Sequence, residues 1–185
     1  MQQLNYPNAV SGGLRMTVSQ GTRHVTDDPS MVLTTVLGSC VACCLYDAHA
    51  RIGGMNHFLL AEPHAGTAYG GAEAERYGLY AMELLVNDML KAGSIRLHLR
   101  AHLYGGANLH RGMHAIGTAN ANFARRFLEA DGIPILHSHL GGTQARRVDF
   151  RAAMGQARCR VVEEDVAPVV RRPAAMATLG EVELF

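Results

Sequence analysis

The chain has 185 residues, of which 48% are hydrophobic and 18% are charged, a composition typical of a single globular domain. Its formal net charge is +1 and its basic residues are scattered in pairs, which excludes a strongly basic nucleic-acid-binding surface. The most apolar stretch, 31–46, is too short and too polar to span a membrane, and the N-terminus does not resemble a secretory signal, so we expect a cytoplasmic protein.

The pattern divides the chain into one domain with two loose ends. Residues 1–15 are polar and contain glycine, and residues 164–185 have no clean periodicity, so both segments are expected to be loosely ordered. Residues 16–163 carry the periodic segments and are predicted to form the folded domain.

The first predicted elements are a hairpin, a helix and a strand. Apolar runs at 41–46 and 54–60, separated by 47–52, are typical of a β-hairpin. Apolar residues at three- and four-residue spacing from Leu79 to Leu90 predict an amphipathic helix that ends near Gly93. Residues 95–103 alternate between apolar and polar, which predicts a strand.

A second helix and three short strands follow. Residues 118–130 are predicted to be helical, and strands are expected at 135–140, 147–150 and 158–162. Strands do not alternate regularly with helices, so we expect an α+β fold, a layered sandwich with a mostly antiparallel sheet and two main helices.

Cys40 is the first candidate for chemistry, because Gly38 and Ser39 place it after a flexible turn at the entrance to a buried strand. If the hairpin pairs residues whose numbers sum to 99, Cys40 lies opposite Leu59, and His57 lies one diagonal step away on the same face. A register slip of one residue would put Cys40 and His57 on opposite faces.

An imidazole beside the thiol would raise the fraction of reactive thiolate, and a third group would hold the imidazole in one tautomer. Thr34 and Thr35 are both available for that role. From spacing alone, a buried structural cysteine and a core histidine are the commoner interpretation.

Two other interpretations use the same cysteines. Cys40-x-x-Cys43 with His57, or with the His137-x-His139 pair, is a weak zinc pattern because no second ligand pair follows at a suitable distance. A redox motif is disfavoured because CxxC here begins a strand instead of a helix.

Several motifs resemble the CheD family of chemoreceptor glutamine deamidases. The two most specific are 34–41 (TTVLGSCV) and 53–60 (GGMNHFLL), and further landmarks follow in the family's order over roughly residues 15 to 163. These further landmarks are Arg76-Tyr77-Gly78, Tyr104-Gly105-Gly106-Ala107, Ile116-Gly117 with Asn120, Gly132-Ile133-Pro134 and Leu140-Gly141-Gly142.

The resemblance implies a cysteine hydrolase of the deamidase-toxin-like fold, in which 16–163 is the catalytic domain. Cys40 would be the nucleophile, His57 the base and acid, and Thr34 the orienting group, with Thr35 a bystander. Backbone N–H groups near Gly38 and Ser39 are the expected oxyanion donors. The chemistry would pass through a γ-glutamyl thioester, could extend to glutamyl methyl esters, and requires no cofactor or metal.

The implied partners are methyl-accepting chemotaxis receptors, as protein substrates, and a CheC-type phosphatase. The alternative to an enzyme is a non-catalytic regulatory partner of that phosphatase, whose cleft is a docking surface.

Overall fold

The structure, a computed structural model, describes residues 13–60, 70–109 and 116–162, and for 70–76 the backbone alone. Most of the predicted N-terminal segment 1–15 and all of the predicted tail 164–185 lie outside the described residues.

Nine strands and two α-helices make up the described part of the chain. In chain order they are β1 (Arg15–Thr17), β2 (Arg23–Thr26), β3 (Val32–Leu37), β4 (Val41–Asp47), β5 (Ile52–Phe58), α1 (Gly70–Lys91), β6 (Leu99–Gly105), α2 (Ile116–Ala130), β7 (Ile135–Leu140), β8 (Arg146–Arg151) and β9 (Gln156–Val161).

The strands form two sheets. One has the order β2-β5-β4-β6-β7 and the other the order β1-β3-β8-β9. The β1–β3 and β6–β7 pairs are parallel and the other pairs are antiparallel. The predicted α+β class, a layered sandwich with a mostly antiparallel sheet and two main helices, is confirmed, although the strands form two sheets where one was expected.

Strand β4 lies at the centre of the molecule, because both of its faces are buried. Val41, Cys43 and Leu45 pack with the apolar residues of both helices. Ala42 and Cys44 face the opposite way and pack with apolar residues of the β1-β3-β8-β9 sheet. Alternation along this one strand therefore separates three layers: helices, a five-stranded sheet and a four-stranded sheet.

The β4–β5 hairpin has the predicted register. Val41 pairs with Phe58 and Ala42 pairs with His57, so partner numbers sum to 99. The Asp47 carboxylate stabilises the turn by accepting the backbone N–H groups of the next residues, 49 and 50, at 2.9 and 3.0 Å. Cys40 directly precedes β4 and lies on the side of the sheet that carries His57.

The prediction of a strand over 95–103 was wrong at its beginning. Residues Arg96–His98 form a 3₁₀ turn, and β6 begins only at Leu99. Leu97 is 84% exposed and Ile95 is 55% exposed, so their alternation does not reflect a buried face. Among the described residues, neither helix combines the length and apolar character needed to cross a bilayer.

Candidate active site

Cys40 ends the short loop between β3 and β4, and hydrogen bonds to the segment after β6 hold this loop in place. The carbonyl of Gly38 accepts the backbone N–H of Ala107 at 2.8 Å, and the carbonyl of Cys40 accepts that of Gly106 at 2.7 Å. The nucleophile candidate is therefore fixed through its backbone, which leaves its side chain available for chemistry.

Gly105 makes this close approach possible. Its φ is +108°, and an added Cβ would lie 2.1 Å from the carbonyl oxygen of Cys40. A side chain at position 105 would therefore displace either β6 or the backbone of Cys40.

Asn120, on α2, ties the loop to the end of β5. Its side chain is completely buried, and its Nδ2 donates to the carbonyl of Ser39 at 2.8 Å. Its Oδ1 accepts the backbone N–H of Leu60 at 2.8 Å. One side chain thus connects the loop before Cys40 to the strand that carries His57.

The hydrogen bonds of His57 identify its tautomer. Its Nδ1 lies 2.9 Å from Thr35 Oγ1 and 3.3 Å from the carbonyl oxygen of Val18. The Thr35 hydroxyl donates its single hydrogen to that carbonyl at 2.8 Å, so its oxygen must accept from Nδ1. The proton of the neutral imidazole therefore sits on Nδ1, and Nε2 has a free lone pair.

His57 is suited to act as a base. It is 7% exposed, and burial lowers its pKa from the usual value, partly offset by the hydrogen bond to Val18. The imidazole is consequently neutral at pH 7. Nε2 is buried and has no hydrogen-bond partner among the residues that the structure describes.

The Cys40 thiol needs such a base. Burial raises its pKa, an effect that its own backbone N–H partly opposes, so the resting group is a protonated thiol. Its Sγ donates to Gln20 Oε1 at 3.5 Å.

The two adjacent threonines of β3 contact different partners. Thr35, expected to be a bystander, makes the contact with His57, whereas Thr34 donates its hydroxyl to Asp149 Oδ1 at 2.9 Å. Successive side chains of a strand face opposite sides. Thr35 therefore lies on the same face of β3 as Leu33 and Leu37, which pack in the core between the two sheets. This alternation is visible in the sequence and could have identified Thr35 as the threonine that faces His57.

The hydrogen bonds of the Gly38 and Ser39 carbonyls determine the direction of the neighbouring backbone N–H groups. In a trans peptide the N–H points opposite to the carbonyl of the same unit. Because the carbonyls of Gly38 and Ser39 point to Ala107 and Asn120, the N–H groups of Ser39 and Cys40 point away from those residues.

The other cysteines differ from Cys40 in environment. All four are free thiols, and Cys43 and Cys44 are fully buried within β4, where burial raises both pKa values. Cys159 is half-buried on β9, and its Sγ lies 3.4 Å from His139 Nδ1.

The zinc pattern is not assembled into a site. Cys43 and Cys40 lie on opposite sides of the sheet, and within the described ranges no three His, Cys, Asp or Glu side chains meet closely enough to hold a metal ion.

Sequence reasoning did not identify two groups near the site, the Val18 carbonyl and the Gln20 side chain, and it took Thr35 for a bystander. Val18 contributes a backbone carbonyl, for which side-chain chemistry gives no signal. Gln20 lies in a turn between two short strands that the sequence pattern did not predict.

The sequence matches one family model and curated relatives that share one name. The family described as CheD chemotactic sensory transduction matches residues 59–161. A probable chemoreceptor glutamine deamidase CheD of Caulobacter sp. (strain K31) is 51% identical over 177 residues, which is 93% of each chain. A protein of the same name from Zymomonas mobilis subsp. mobilis is 51% identical over 171 residues, 92% of each chain. Among solved structures, the hypothetical protein YfiH of Bacillus licheniformis has a TM-score of 0.42 and 18% identity, covering 65% of this chain and 51% of that chain.

Proposed function

Because the chain belongs to the CheD family, we propose that it is a protein-glutamine deamidase that converts glutamines of chemotaxis receptors into glutamates. The observation that carries the proposal is the tautomer of His57, which leaves Nε2 with a lone pair and no partner among the described residues, on a side chain that shares its face of the sheet with Cys40. A neutral base and a protonated thiol are the resting state of a cysteine hydrolase that activates its nucleophile by proton transfer.

The first half of the reaction forms a thioester. His57 Nε2 takes the thiol proton, and the Cys40 sulfur attacks the side-chain carboxamide carbon of the receptor glutamine. The carbon–nitrogen bond then breaks, and the imidazolium returns the proton to the departing ammonia. The N–H groups of Ser39 and Cys40 stabilise the negative oxygen of the tetrahedral intermediate.

The second half hydrolyses the thioester. Water gives a proton to His57 and adds to the acyl carbon. The carbon–sulfur bond then breaks, and the imidazolium returns the proton to the departing sulfur, so that the products are glutamate and the free thiol. A glutamyl methyl ester can enter the same sequence, with methanol as the leaving group in place of ammonia. No step uses a cofactor or a metal ion.

The test uses the wild type and Cys40→Ala with a receptor cytoplasmic fragment, and peptide mass spectrometry detects glutamine-to-glutamate conversion. We expect conversion by the wild type and none by Cys40→Ala. Cys159→Ala is the matched control, because this half-buried thiol lies on β9 beside His139 instead of His57. Equal conversion by wild type and Cys40→Ala, or by neither with several receptors, would contradict the proposal.

A further inference from the structure

Gln20 lies in a tight turn between β1 and β2. The backbone N–H of Thr22 donates to the carbonyl of Ser19 at 3.0 Å, and Gly21 has a φ of +81°. This positive φ is the one that the third residue of a type II turn requires. Gln20 is the second residue of the turn, and its side chain is exposed.

Two backbone hydrogen bonds attach this turn to His57, the candidate base. The backbone N–H of Gly21 donates to the carbonyl of His57 at 2.7 Å, and the N–H of His57 donates to the carbonyl of Thr22 at 3.1 Å. These backbone bonds fix the position of Gln20 relative to His57 without any contribution from the Gln20 side chain.

The Gln20 side chain reaches the nucleophile candidate. Its Oε1 accepts the Cys40 thiol at 3.5 Å. The group that touches the thiol is thus a glutamine carboxamide, the same group that the proposed reaction attacks. An incoming carboxamide must approach the sulfur to about 3–3.5 Å before it reacts, which it cannot do while another occupies that place.

We propose that Gln20 is an intramolecular substrate mimic: its carboxamide occupies the subsite of the receptor glutamine, and the receptor must displace it before Cys40 can react. This inference rests on the proposed deamidase function and names the subsite that the function requires. It also makes Gln20 a determinant of apparent affinity, because only the fraction of molecules with Gln20 turned away binds substrate.

A purely structural role for the Gln20 side chain does not fit its surroundings. The side chain is exposed, and main-chain bonds and Gly21 hold the turn. Gln20→Ala is therefore expected to fold, which thermal unfolding verifies.

The test measures alkylation of Cys40 by iodoacetamide, itself a primary carboxamide, with peptide mapping to separate Cys40 from Cys159. For Gln20→Ala we expect the plateau alkylation rate at high pH to rise about three- to tenfold. This is the increase expected if Gln20 is turned away from Cys40 in about 10–30% of wild-type molecules. The KM for receptor deamidation should fall by a similar factor while kcat is retained. Gln156→Ala, at the start of β9, is the matched control and should change neither value.

Two results would overturn the substrate mimic. One is an unchanged plateau rate and KM. The other is faster alkylation caused only by a lower midpoint of the pH profile with the same plateau, which would make Gln20 a hydrogen-bond partner that adjusts the thiol pKa. Alkylation needs no receptor, so failure of all receptor deamidation would count against the proposed function while the alkylation profile still decides the role of Gln20.

Discussion

Thr35 and Thr34 are neighbours with the same side chain and different hydrogen-bond partners. Thr35 is 3% exposed and accepts the Nδ1 proton of His57, while the Thr34 hydroxyl belongs to an ion-pair cluster around Asp149. The two residues therefore allow a comparison in which the chemical change is identical and only the face of the strand differs.

Thr35→Val retains the shape of the side chain and removes its hydroxyl. We expect kcat for receptor deamidation to fall about tenfold, at the low end of the range for groups that orient a histidine, because the Val18 carbonyl remains as an acceptor. Thr35→Ser should restore most of the activity. Steady-state kinetics on a receptor fragment measures both values.

Thr34→Val is the control for this comparison and should keep kcat within about twofold, since it loses only a hydrogen bond to a carboxylate worth roughly 1.5–3 kcal/mol of stability. An equal loss of kcat in Thr34→Val and Thr35→Val, or a loss only in Thr34→Val, would contradict the assignment of Thr35.

The sequence predicted that Cys40 and His57 share one face of the hairpin, but it did not predict that Thr35 is the threonine in contact with His57. The pairing depends on a register that the Asp47 turn determines locally. The assignment of Thr34 came from a family motif, and a shift of one residue on a strand moves a side chain to the other face.

The end of β6 is the element that positions the nucleophile candidate, and Gly105 is its critical residue. For Gly105→Ala we expect kcat to fall by about 10²-fold, the order of loss that a misplacement near 1 Å produces, because the new Cβ would collide with the Cys40 carbonyl. Receptor deamidation together with thermal unfolding separates loss of geometry from loss of folding.

Gly132→Ala provides the matched control, since Gly132 also has a positive φ, +68°, but nothing lies within 4 Å of an added Cβ. It should lose about 1–2 kcal/mol of stability and keep its activity. Comparable kcat losses in both variants of folded protein would show that backbone strain, and not contact with Cys40, causes the effect.

Elements with a strong local signal were predicted well, and those that depend on pairing were not. Helix α2 and strand β7 follow the sequence pattern closely, and α1 ends where the pattern predicts but begins nine residues earlier, at Gly70. Strands β1 and β2 have only three and four residues, contain Arg or His, and lie at sheet edges, so no local periodicity identifies them. They are strands because β3 and β5 offer partners, and these edge strands flank the turn that carries Gln20.

Aromatic rings surround His102 where the two sheets pack against each other. The His102 ring lies 5.3 Å from that of Tyr46 and 6.4 Å from that of Phe150, which belong to different sheets. Burial, and secondarily the charge of His137, lowers the pKa of His102 to about 4. The folded protein therefore keeps this imidazole neutral across the mildly acidic range.

This burial predicts how stability depends on pH. Between pH 6.5 and about 4 the unfolded chain binds a proton at His102 that the folded chain does not, so the free energy of unfolding should fall as the pH falls through this window. His102→Phe should reduce this fall, because the ring is retained and the titrating group is removed. Urea unfolding at pH 7 and pH 4.5 measures the difference.

His49→Phe is the reference for this experiment, because His49 is exposed in the β4–β5 turn and leaves the layer between the sheets unchanged. If His102→Phe and the wild type lose the same stability between the two pH values, His102 is not a source of acid sensitivity.

The burial of both faces of β4 gives the molecule two internal reporters of its own opening. Cys43 packs against the helices and Cys44 against the β1-β3-β8-β9 sheet. Neither thiol is therefore accessible to a reagent in solution until the layer that covers it separates. In a pulse of thiol label, modification of Cys43 records detachment of the helices, and modification of Cys44 records separation of the two sheets. The order in which these adjacent cysteines become labelled therefore shows whether the helices or the β1-β3-β8-β9 sheet separates first from the central sheet.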